Sequence, residues 1–221
     1  MSEQRVDGRQ HLLDVYKLFS AFARDTLASL VGASEMDALE ADAAREFEAL
    51  LDDFPYADRP SHVMAFPTLA CAIMLAFYMA ARARGCSAHQ FGRAIHEAPL
   101  PELAEPPLEQ LRREAAESQE SAAPNEFVFE FVEGDEKDLD YGYNIKACAI
   151  CHLYRKHDAM DLVPYMCALD DKMSAARNSG LRRSGTIALG GHQCDFRYRA
   201  GGEPLTLASR YREEVRLVDI E

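Results

Sequence analysis

The chain has 221 residues, enough for one generous domain. A composition of 48% hydrophobic and 28% charged residues is that of a folded globular protein and excludes wholesale disorder. The formal net charge of −13 excludes a general DNA- or RNA-binding role, because neutralising phosphates requires a basic footprint.

The first ten residues are polar and hold no apolar core, so no secretory signal is expected. Residues 11–30 place Leu12, Val15, Tyr16, Phe19, Phe22 and Ala23 at a period near 3.6, which predicts a helix ended by Gly32. A second helix is expected over 36–51, before Pro55. Residues 63–81 carry no charge and are long enough to span a bilayer. Pro67 suits a first helical turn, alanine is frequent, and the flanking sequence is amphipathic, so a buried central helix over 67–84 is expected instead. Gly85 supplies a stop and Ser87 a cap for a helix reaching about residue 98. Residues 99–107 read as a proline-rich connector, 108–118 as a short helix and 118–125 as a polar loop.

The pattern then changes. Phe127, Phe129 and Phe131 alternate with Val128, Glu130 and Val132, which is strand periodicity. Helix signals return over 144–157 and over 161–177, with Pro164 in the first turn. Residues 186–189 and 193–199 read as strands, joined by Gly190-Gly191 as a hairpin turn. Residues 210–218 read as a last strand or tail. The expected class is α+β: a helical N-terminal half (1–118), then a small antiparallel sheet with two packed helices (126–199), in a single domain.

Charge is uneven along the chain. Residues 100–140 are acidic, whereas 172–199 carry Lys172, Arg177, Arg182, Arg183, Arg197 and Arg199 against Asp195. That island suits a small anion, for which the planar fork of arginine is well shaped. Without an export signal, the six cysteines are expected to be reduced thiols in a cytoplasmic protein, most of them small buried hydrophobes. Cys148-Ala-Ile-Cys151-His152 has the haem-attachment spacing, but it falls within a predicted helix and lacks export. It is also half of a zinc site with no second half. On a helix, Cys148 and His152 would share a face, and a thiol beside an imidazole can become a nucleophile. Cys167 and Asp170 have the same kind of relation on the next helix, with Asp171 beside them.

The densest chemistry follows Gly190-Gly191, where a turn can present backbone N–H groups to a ligand: His192, Gln193, Cys194, Asp195, Phe196, Arg197 and Tyr198. In a strand, Cys194, Phe196 and Tyr198 share one face and Asp195, Arg197 and Arg199 the other. Cys194 and Asp195 then point into different spaces, and Phe196 and Tyr198 are expected to pack in the core.

The order Cys148, then Cys167-Ala-Leu-Asp170, then Arg183-Ser-Gly-Thr186, then Gly190-Gly-His-Gln-Cys194-Asp195-Phe196-Arg197 resembles the L-2-amino-thiazoline-4-carboxylic acid hydrolase family. The resemblance is best over 127–199 and looser over 65–98. It implies an enzyme that adds water across a cyclic amidine-like ring bearing a carboxylate and releases an N-carbamoyl-cysteine-like product. It supports Cys148, Cys167, Asp170, Arg183, Thr186, Cys194 and Asp195 as site residues.

The expected function is hydrolysis of such a ring. Cys194 or Cys148 is the nucleophile, with Cys167 a third candidate. Asp170 is the base or orienter, with Asp195 the alternative, and His192 is a proton shuttle. Arg183 or Arg197 clamps the substrate carboxylate, and Thr186 joins the binding set. No cofactor or metal is expected, and no nucleic-acid or membrane partner. A homodimer is the expected assembly on frequency alone. The alternatives are a related ring-forming or ring-opening enzyme, a non-catalytic small-ligand module, and a metal enzyme using Cys, His and Asp ligands.

Overall fold

The structure, a computed structural model, describes residues 8–28, 30–32, 34–100, 107–120, 123–135 and 137–205. The expected strand or tail at 210–218 and most of the proline-rich connector lie outside these residues. The chain divides into two compact units, one through Ile95 and one from His96.

The first unit is helical. α1 (Gly8–Leu27) and α2 (Met36–Leu50) pack on α3 (Ala65–Arg82), and a short 3-10 turn (Leu51–Asp53) ends α2. Tyr16 of α1 stacks on Phe47 of α2 at 4.6 Å and lies 6.0 Å from Phe77 of α3. Among the described residues α3 is the one helix long and apolar enough to cross a membrane, and 67% of it is buried. It is the core helix of this unit, as its alanine-rich composition predicts. Gly85 adopts φ +85°, a left-handed conformation that stops α3 at little cost for glycine alone. α4 (Ala88–Glu97) then starts at a reciprocal cap: Ser87 Oγ accepts from Gln90 N at 3.2 Å and Ser87 N donates to Gln90 Oε1 at 2.9 Å.

The second unit holds the sheet. β1 (Val128–Glu133), β2 (Tyr141–Ala147) and β3 (Cys194–Tyr198) form an antiparallel sheet in that order. α5 (Leu108–Ser118) lies along β1, where Ser118 Oγ accepts from Phe129 N and Gln119 Nε2 donates to Phe129 O. These bonds satisfy backbone groups on an edge strand. α6 (Ala149–Lys156) and α7 (Val163–Arg177) occupy the β2–β3 connection. The fold is α+β, with seven α-helices and three strands among the described residues.

Register sorts the side chains. Phe129 pairs Ile145, Phe131 pairs Tyr143, Tyr141 pairs Tyr198, Tyr143 pairs Phe196 and Ile145 pairs Cys194. Directly paired residues share a face, so one face is mainly aromatic, with Ile145 and Cys194 at one end and Glu133, paired with Tyr141, at the other. The other face carries Glu130, Asn144, Lys146, Asp195 and Arg197, with Lys146 3.3 Å from Glu130.

Two expectations for the second half fail. Residues 144–147 are strand, not helix. Tyr141, Tyr143 and Ile145 alternate, and β1 and β3 hydrogen-bond them from both sides. Residues 186–189 are not a strand either. Thr186 is extended, but Ile187–Leu189 form a 3-10 turn closed by Gly190 at φ +86°. The residue that bridges to β3 is Arg182, which exchanges backbone hydrogen bonds with Arg197. Gly190-Gly191 is therefore no hairpin turn. Its N–H groups donate to Ile187 O and Thr186 O, so they are spent within the turn.

A candidate active site on the aromatic face of the sheet

The site grows from Arg183. Arg182 bridges Arg197 on the polar side of β3, so its neighbour Arg183 points to the aromatic side. There its guanidinium lies over the Phe196 ring, 4.7 Å from the centroid. Nη1 donates to Asp170 Oδ2 at 2.8 Å, and Nη2 donates to Asp171 Oδ1 at 2.9 Å and to Cys167 O at 2.8 Å. The Arg183 side chain is 0% exposed, Asp171 10% and Asp170 31%. A buried arginine thus ties the α7 carboxylates to the sheet, and only Asp170 keeps a substantial open surface.

Burial and the two carboxylates act in opposite directions on Arg183. Burial works to lower its pKa, but Asp170 and Asp171 more than offset this and raise it, so it stays charged. For Asp170 burial is the larger effect. It raises the pKa, and Asp171 adds to the rise, while Arg183 pulls the other way without cancelling it. The same ion pair thus fixes the arginine as a cation, while burial, helped by the neighbouring Asp171 charge, leaves Asp170 with increased proton affinity. A carboxylate so placed is a natural proton acceptor or donor.

Three thiols join this centre. Cys148 is the N-cap of α6, with extended backbone (φ −114°, ψ 112°), and its Sγ accepts from Cys151 N at 3.4 Å. This corrects the expected placement of Cys148 on a helical face with His152. At a cap, the thiol turns back over the first turn and does not run along the helix toward residue 152. Cys167 lies on α7, one turn before Asp170. Cys194, on β3, accepts from Ile187 N at 3.3 Å. Burial pushes the Cys167 thiol well up and the Cys194 thiol up to about 12. Cys148 is pushed well up by the neighbouring Cys151 thiol and then by burial, against the pull of the Cys151 and Ile150 N–H groups. Charge on Cys148, Cys194 or Asp170 would each raise Cys167 further, which puts all four within electrostatic reach.

Two tyrosines complete the cluster, and both were missed as site residues. Tyr143 falls just before the helix expected over 144–157 and in no expected element, and Tyr198 is expected in the core. Their hydroxyls are 3.2 Å apart. Burial raises both pKa values, and Asp170 adds to the rise in each. Cys148, Cys167, Asp170, Tyr143 and Tyr198 lie deep enough for desolvation, yet each keeps part of its surface open. The sequence signal for the pair was the alternation Tyr141, Tyr143, Ile145.

The remaining predicted residues stand apart. Asp195 accepts from Ser184 N (2.9 Å), Ser184 Oγ (2.5 Å) and Gly185 N (3.0 Å), so it holds the loop behind Arg183. Arg197 donates to Asn144 Oδ1 at 2.8 Å on the polar face, away from the thiols. His192 is exposed at the turn. Thr186 is buried, and neither its Oγ1 nor Arg183 Nε has a hydrogen-bond partner in the protein. The three hydrogen bonds of the Arg183 Nη groups all go to α7, to Asp170, Asp171 and the Cys167 carbonyl, so this guanidinium is committed mainly to the helix. Among the described residues no group of three or more His, Cys, Asp and Glu side chains is placed to hold a metal ion.

The family model of L-2-amino-thiazoline-4-carboxylic acid hydrolase matches residues 72–198, more than half of the chain. No curated protein and no solved structure matches the chain. The matched stretch contains the Arg183–Asp170 pair, the three thiols and both tyrosines. The chain belongs to the L-2-amino-thiazoline-4-carboxylic acid hydrolase family.

Proposed function

We propose that this chain is a hydrolase that opens a small cyclic amidine ring bearing a carboxylate. The substrate resembles 2-amino-thiazoline-4-carboxylate and the product resembles N-carbamoyl-cysteine. The observation that carries the reading is Asp170: a carboxylate of raised proton affinity, locked by a buried arginine and open toward three thiols and two phenols. The amidine carbon between nitrogen and sulfur is electrophilic. Asp170 accepts a proton as oxygen adds there, and the ring opens when the carbon–sulfur bond breaks.

The three thiols are held neutral by burial, which favours direct attack by water with Asp170 as base. A second route has Cys148 as a covalent nucleophile. It is favoured by the N–H of Cys151 at the start of α6, which stabilises a thiolate once formed. Arg183 acts as a positioning residue for Asp170, and Asp195 as a brace for the 184–185 loop. The six free cysteines support a cytoplasmic setting.

The test is incubation of the purified chain with 2-amino-thiazoline-4-carboxylate, followed by mass spectrometry. Gain of one water supports the reading, and an unaltered substrate refutes that substrate. A Cys148→Ser variant then separates the routes: retained turnover favours direct water attack, whereas lost turnover in a folded variant favours the thiol.

A further inference from the structure

Tyr143 and Tyr198 are neighbours on one face of adjacent strands, and their rings are held on both sides. Tyr143 stacks on Phe196 at 4.6 Å and meets Phe129 edge-on at 6.4 Å, while Tyr198 stacks on Tyr141 at 4.8 Å. Two phenols have two protons, and the 3.2 Å hydroxyl contact uses one. The other proton has no protein acceptor among the described residues. Asp170 has the matching surplus: Arg183 holds Oδ2, and no described donor holds Oδ1. The stacking of Arg183 on Phe196, next to Tyr143, puts Asp170 over this same face. The cluster therefore presents a spare donor and a spare acceptor that do not bond each other. A cyclic amidine fits that pair. It offers N–H or an attacking water to the carboxylate, and a ring heteroatom that needs a proton to the phenol.

The geometry points to the Tyr143–Tyr198 hydroxyl pair as the proton donor to the departing ring atom, acting opposite Asp170. This rests on the hydrolase reading. Water adds to the amidine carbon, forming a carbon–oxygen bond, while Asp170 takes one of its protons and hands it to the ring nitrogen. In the collapse, the carbon–sulfur bond breaks and its electron pair leaves on sulfur. The new hydroxyl gives its proton to Asp170 and becomes the carbonyl of the product. Sulfur takes the spare tyrosine proton, and Asp170 returns its proton to the tyrosinate. The sum is substrate plus one water. Burial keeps both phenols protonated, as a donor must be.

The experiment compares the native chain with Tyr143→Phe, Tyr198→Phe and the double variant on two rings. These are 2-amino-thiazoline-4-carboxylate and its oxygen counterpart, 2-amino-oxazoline-4-carboxylate. A thiolate leaves with little help, while an alkoxide needs a proton. Loss of a general acid is expected to lower kcat about 10-fold on the sulfur ring and about 100-fold or more on the oxygen ring, with KM little changed. The double variant is expected to be no worse than the poorer single variant, because the pair acts as a unit. Near-ultraviolet circular dichroism checks that each variant folds, and the milder hydroxyl deletion of the pair carries the comparison if the other unfolds. Equal losses on both rings, or a change in KM alone, overturn the donor role while leaving the hydrolase reading in place. A native chain that opens neither ring overturns both.

Discussion

Arg183 Nη1 donates to Asp170 Oδ2 at 2.8 Å from a guanidinium that is itself 0% exposed. The arginine belongs to the stretch that bridges β3, and the aspartate to α7. Their bond ties the helix to the sheet at the place where the thiols and phenols converge.

Replacing Arg183 by Met removes a buried cation that Asp170 and Asp171 share. Breaking a buried pair by deleting one partner costs about 3–5 kcal/mol, and this loss is expected in urea unfolding of Arg183→Met. Lys at this position keeps the charge but not the fork, so Arg183→Lys is expected to recover only part of it.

Asp170→Asn is expected to reduce kcat/KM about 100-fold or more, the usual weight of a general base. In the native chain the acid limb of the pH profile should lie above the ordinary aspartate range of about 3.9, since burial raises the Asp170 pKa. Activity falls as pH drops through that raised value. Stability runs in the opposite sense. Folded Asp170 holds its proton more tightly than the unfolded chain does, so its contribution is complete below the unfolded pKa and is lost as pH rises through the folded one. Relative to Asp170→Asn, the native chain should therefore lose stability across that window. Melting temperatures of both at a series of pH values check the sign.

The thiols should alkylate slowly. Cys194, pushed up to about 12, exposes little thiolate near neutrality. Its rate with iodoacetamide should climb with pH through the region near 8.5, where a free cysteine levels off, without a plateau there. Peptide mapping by mass spectrometry reads each cysteine separately. A plateau near 8.5 for Cys194 would contradict the burial described for it.

Asp195→Ala deletes three hydrogen bonds to the 184–185 loop. A cost of about 1–3 kcal/mol is expected, together with a fall in activity through displacement of Arg183. Restoration of both by Asp195→Asn in part, but not by Ala, would separate bracing from direct chemistry.

Ser87→Ala breaks the reciprocal cap of α4. A loss of about 1 kcal/mol is expected, visible in thermal unfolding, with the chemistry of the second unit unaffected.

Much of the helical half was legible because its signals are local. A 3.6-residue period, Gly85 with positive φ and a serine three residues before a glutamine act within one or two turns, so the sequence alone places α1 to α5 to within a few residues. The phenylalanine alternation of β1 is equally local. Residues 141–147 are different. Their alternation is short and runs directly into a true helix, and only pairing with β1 and β3 settles them as a strand. That single shift moved Cys148 from a helical flank to a cap and brought Tyr143 onto the face of Phe196.

The sequence by itself determined the α+β class, the order of motifs that marks the family, and the alternation that separates Cys194 from Asp195. Tertiary structure decided what each motif residue does. Arg183 and Arg197 look alike in sequence, yet one is buried between two α7 carboxylates and the other lies on the opposite face against Asn144. Periodicity and capping are properties of neighbours along the chain. Which carboxylate meets which guanidinium, and which thiols come together, depends on how α7 packs on the sheet, between residues far apart in the chain.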